Sequence, residues 1–150
     1  MEPLPLDPAW ASALLLASSR ESEEQYQRFL ELVDRAAGRI TRSSARTLLH
    51  TFSAKPDHGT QERVCSVLAT GDRSIVVDAI LEELPRLMEQ AREWAEVLMG
   101  EEVESRPHQT SQAISRASMD SRLAALQLLR DTEFAEFFPS ARQVLAHVGA

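Results

Sequence analysis

Apolar residues recur every three and four positions along almost the whole chain, the spacing of one face of an α-helix. Asp7-Pro8 predicts a helix start, with Asp as cap and Pro at the first helical position, ahead of Trp10, Ala13, Leu14 and Ala17. A second helix is expected from about Glu21 to Ala37, carried by Tyr26, Phe29, Leu30 and Val33, with Gly38 placed for a left-handed end. Thr41 can cap a third, with Ala45, Leu48, Leu49 and Phe52 on one face. Lys55-Pro56-Asp57-His58-Gly59 predicts a loop, and Thr60 a fourth helix through Val64, Val67 and Leu68, closed by Gly71.

The longest stripe follows: Val76, Ile80, Leu84, Leu87, Met88, Ala91, Ala95 and Leu98. Pro85 lies inside it and threatens a kink or split, because proline has no N–H to donate. Gly100 to His108 predicts a loop, and Gln112 to Ala117 a short helix. Ser118 is placed to cap a stronger helix from Asp120 to Arg130. Pro139 is placed to start a last one with Ala141, Val144, Leu145 and Val148. Ser74 to Val77 is β-branched, but the helical stripe passes through it. The expected fold is all-α in a single domain over 1–150, with at least six helices paired as antiparallel hairpins. The hairpins stack as a short α-α superhelix or close into a bundle, and the pattern leaves both open.

Charge adds a second pattern. The segment Asp72 to Glu104 holds ten acids and only three bases, while the rest of the chain holds thirteen of each. The whole net charge of −7 therefore sits in that one segment. Asp78, Glu82, Glu89, Glu93 and Glu96 fall on the side of the helix opposite the apolar stripe, provided the helix is continuous. A face of one sign is either a solvated surface or a site for a partner of opposite sign, whose encounter it speeds. We expect these five acids to bind a partner with a basic surface. The same charge disfavours nucleic acid, which needs a basic footprint.

Little points to catalysis, and neither a metal nor an organic cofactor is expected. His50, His58, His108 and His147 show no metal-ligand spacing. Cys65, the one cysteine, stands in the apolar run Val64 to Leu68 and is expected to be a small buried hydrophobe. It allows no internal disulfide, as suits a reducing compartment. Met1-Glu2-Pro3 lacks a basic start, and the apolar run Ala13 to Ala17 is too short for a signal peptide or a membrane span, so the protein is expected to be cytoplasmic. Glu31-Leu32-Val33-Asp34 and Glu93-Trp94-Ala95-Glu96 have the carboxylate spacing of helical magnesium-dependent nucleotide hydrolases. A metal-dependent hydrolase is the weakest of the alternatives. A helical adaptor or regulatory scaffold is the stronger rival.

The run from Val76 to Leu98 also resembles the central signature of a bacterial immunity-protein family, the thirtieth in the polymorphic-toxin series. Leu84, Pro85, Leu87, Trp94 and Leu98 carry the likeness, which extends over about residues 40 to 135. After the tryptophan, Met99-Gly100-Glu101-Glu102 stands where that family often has an Arg and an Asn. The resemblance implies a cytoplasmic helical antidote. Such a protein neutralises the toxic C-terminal domain of a secreted toxin by covering its active site, without catalysis, membrane or nucleic acid.

Overall fold

The computed structural model describes residues 6–55 and 59–149. Pro56, Asp57 and His58 of the predicted loop lie outside the described residues, as do Met1, Glu2 and Pro3. The described chain forms ten helices and no strand. The all-α expectation is met, including Ser74 to Val77, which is helical. The helices fall into two compact units, residues 1–79 and 80–150.

The first unit holds α1 (Trp10–Ala17), α2 (Glu23–Arg35), α3 (Arg42–His50) and α4 (Thr60–Leu68). α1 packs on α2 and α3, and α4 packs on α2 and α3. Leu14, Phe29, Val33, Leu48, Leu49, Phe52 and Val64 fill the middle, all essentially inaccessible. Full burial of each such side chain is favourable by about 1.5–3 kcal/mol. Local chemistry starts these helices close to where the residue types predict. Ser22 caps α2 through Gln25, and Thr41 with Ser44 forms a capping box on α3. Asp7 accepts from the Ala9 N–H at 2.8 Å and so organises a turn, and α1 itself begins only at Trp10. Gly38 has the left-handed φ of 74° expected of it.

α5 (Arg73–Gln90) crosses from one unit to the other. The second unit continues with α6 (Arg92–Ser105), α7 (Pro107–Arg116), α8 (Met119–Arg130), α9 (Thr132–Phe137) and α10 (Ala141–Val148). α10 is short but packs on α6, α7, α8 and α9, so the last eight helical residues close this unit. A methyl group at Gly100, in the middle of α6, would overlap the Phe138 ring, so only glycine permits that approach.

Three junctions differ from expectation. Pro85 does not split its helix, which runs unbroken from Arg73 to Gln90. The break comes at Ala91, with φ −150° and ψ 54°. Ala91 still donates to the Leu87 carbonyl at 2.8 Å and accepts from the amides of Trp94 and Ala95. It thus ends α5 and begins α6 as a one-residue joint. The predicted loop from Gly100 to His108 is also absent. α6 continues to Ser105, and α7 starts at Pro107 after a single non-helical residue, Arg106. Pro107 fits the first helical position and bars Arg106 from helical geometry. Finally, Pro139 precedes rather than opens the last helix, and Phe134 and Phe137 lie in a helix of their own, capped by Asp131.

Candidate functional site

The acidic segment begins with a carboxylate that serves the fold. Asp72 accepts from the Ser74 hydroxyl at 2.6 Å and from the amides of Ser74 and Ile75, which ties down the start of α5. The Ser74 hydroxyl foremost, then the two amides, hold its carboxyl below the ordinary range.

Further along, burial sorts the acids. Val76, Val77, Ala79, Ile80, Leu81, Glu83, Leu84 and Leu87 are all buried, and at 100° per residue they cover roughly 200° of the α5 circumference. The apolar side is therefore much wider than the stripe read from spacing. It takes in Glu83, whose carboxylate pairs with Arg86 Nε at 3.4 Å. Asp78, Glu82 and Glu89 lie on the remaining strip, one side of one continuous helix. Asp78 and Glu82 are half-buried and engaged with other groups, whereas Glu89 is exposed.

The joint at Ala91 resets the phase, so Glu93 and Glu96 belong to a second group on α6. Glu96 meets Arg92 Nε at 3.2 Å, and Arg92 reaches Asp131 at 3.3 Å. Glu93 is exposed. Val97, one turn beyond Glu93, is 50% exposed. Glu102 is buried at 2% exposure, with Arg106 Nε 2.9 Å from its carboxylate and Thr110 donating to its carbonyl. The hydrogen bond that Arg106 donates to the Glu102 carboxylate, with Glu102's charge, holds Arg106 more firmly protonated than an ordinary guanidinium. Glu104 accepts from the amide and hydroxyl of Ser140, and Glu101 from Ser105.

Of the five acids singled out by spacing, the structure therefore brings Asp78, Glu82 and Glu89 to one face of α5, and Glu93 and Glu96 to α6. Glu89 and Glu93 alone among the five are exposed without a partner among the described residues. Spacing missed the buried ion pairs of Glu83 and Glu102. The i,i+3 and i,i+4 arginines at 86 and 106 were the available signal.

Trp94 is half-buried. Cys65 is half-buried as well, and desolvation first, then the Glu62 charge, pushes its thiol up to about 11. His50, His108 and His147 are exposed. Asp34 of the hydrolase-like motif is held by Arg63 at 2.9 and 3.0 Å. Among the described residues, no three His, Cys, Asp or Glu side chains are gathered where they would hold a metal ion. Among those residues, too, no helix is long and apolar enough to cross a membrane. No family model matches the chain, and no curated protein and no solved structure is similar to it.

Proposed function

We propose that this chain is an immunity protein, which binds the toxic C-terminal domain of a cognate secreted toxin and covers its active site. The observation that carries the reading is the pair Glu89 and Glu93. They stand exposed on either side of the Ala91 joint, within the segment that holds the whole net charge. Carboxylates with no partner of their own keep their charge for an incoming base. A toxin cleft built to hold phosphates is basic and meets such a surface with complementary potential. Val97 beside Glu93 supplies an apolar contact that a charged rim alone lacks. The motif of Leu84, Pro85, Leu87, Trp94 and Leu98 supports the same reading by its likeness to the immunity family. On this reading the protein works in the cytoplasm and catalyses nothing.

The test is co-expression with the toxic C-terminal domain of a candidate cognate toxin. The two proteins should co-purify, and cells making both should survive where cells making the toxin alone do not. Glu89→Lys with Glu93→Lys should abolish protection while leaving the far-ultraviolet circular dichroism unchanged. Full protection by the folded double reversal would remove this surface from the mechanism.

A further inference from the structure

A concavity lined by three arginines lies outside the acidic segment that holds the net charge. A cavity of about 320 Å³ in the first unit is lined by Arg28, Leu32 and Arg35 of α2, by Arg39, and by Trp10 and Ala13 of α1. Its volume is that of a small-molecule site. Arg28 and Arg35 are two turns apart on α2, with the buried Leu32 one turn from each, so one helix face presents two cations above a core residue. Arg39 joins them from the turn that Gly38 makes with its left-handed φ.

Trp10 is buried, and its indole N–H donates to the Leu32 carbonyl at 2.7 Å, which fixes the ring against α2. The guanidiniums are not consumed by the fold. Arg35 and Arg39 have no carboxylate partner among the described residues, and Arg28 makes one loose contact with Glu31 at 3.8 Å between two exposed side chains. One acid lines the cavity, Asp7, and its carboxylate already accepts from the Ala9 amide. Three cations against one acid leave the cavity positive in a chain whose net charge is −7. Guanidiniums recognise carboxylates and phosphates by paired hydrogen bonds.

We propose that this cavity binds a small organic anion: a carboxylate or phosphate group held by Arg28, Arg35 and Arg39, carrying an apolar group that rests against Trp10 and Ala13. The site is independent of the acidic surface and of the toxin reading.

Titration calorimetry on the full chain tests it, with phenyl phosphate, benzoate, inorganic phosphate and benzyl alcohol as probes. Phenyl phosphate or benzoate should bind at one site, and whichever binds more tightly names the head group. Inorganic phosphate and benzyl alcohol, each lacking half of the recognised chemistry, should bind at least about tenfold more weakly. Arg35→Ala with Arg39→Ala should weaken binding by about tenfold or more, while Arg142→Ala, an exposed arginine outside the cavity, should not. In a Trp94→Phe protein, Trp10 is the one remaining tryptophan, and its emission should change on binding. Equal affinity for phenyl phosphate and inorganic phosphate would overturn the proposal. So would unchanged binding by the folded double variant, or no heat and no emission change up to about 10 mM probe.

Discussion

Single residues decide how much of the acidic segment is available. Glu102 is a carboxylate in the core, and Arg106 is the cation that offsets its desolvation. Arg106→Ala is therefore expected to cost about 3 kcal/mol in urea unfolding. A loss under about 1 kcal/mol would mean that the carboxylate is otherwise satisfied. Gly100→Ala should cost about 1–3 kcal/mol, because the added methyl displaces the Phe138 ring. Cys65 gives a pH-dependent signature. With its thiol raised to about 11, iodoacetamide should modify the native protein slowly at pH 8 and faster as the pH climbs toward that value. The folded state holds this proton more tightly than the unfolded one. The contribution to stability is thus complete below the ordinary thiol value of 9.0 and is lost as the pH rises through about 11. A native thiol that reacts as fast as a free one at pH 8 would contradict the assigned burial.

At the scale of elements, some starts were legible because they depend on neighbours in the chain. A hydroxyl or carboxylate that accepts an amide three residues on is a local event, and Thr41 and Ser118 do it as their residue types predict; Ser22 and Asp131 do it too, at starts that spacing alone does not point out. Thr41→Ala removes half of a capping box and should lower stability by about 1 kcal/mol. The joints were not legible. Pro85 is the residue with a local reason to break a helix, yet the helix passes it. Ala91 has no such reason, and the chain turns there. Ala91 is 1% exposed, so the turn goes with tight packing that spacing does not record. The Arg106 joint has a local cause in Pro107, but the segment around it was taken for a loop. Its helical content rests on tertiary support, including the bond from Thr110 to the Glu102 carbonyl.

At the scale of the molecule, the question is where a field of seven net negatives acts. Counting charges suggests a broad acid face. The structure leaves Glu89 and Glu93 with their charge uncommitted, while Glu83, Glu96 and Glu102 are bound to arginines. Rising salt should slow association with a basic toxin domain, because screening shortens the reach of the field to about 8 Å at physiological ionic strength. The Glu89→Lys, Glu93→Lys protein should show a slower on-rate at low salt and a weaker salt dependence. Its own stability should change by less than about 1 kcal/mol, since exposed charges contribute little. An on-rate unaffected by salt in the wild-type protein would place the contact away from these acids.

The chain by itself determined its helical class, the capped starts at Thr41 and Ser118, most of its core stripe and the position of its net charge, because each follows from residue type and spacing over a few positions. Of the stripe that periodicity points inward, Val76, Ile80, Leu84, Leu87, Ala91, Ala95 and Leu98 are buried and Met88 is half-buried. Tertiary structure decided which carboxylates are buried with arginines, where the long helix ends, and that Arg28, Arg35 and Arg39 line one cavity with Trp10. Those outcomes depend on contacts between residues distant in the chain. A helical period records which side of a helix faces inward, but not which residue of another helix it meets there.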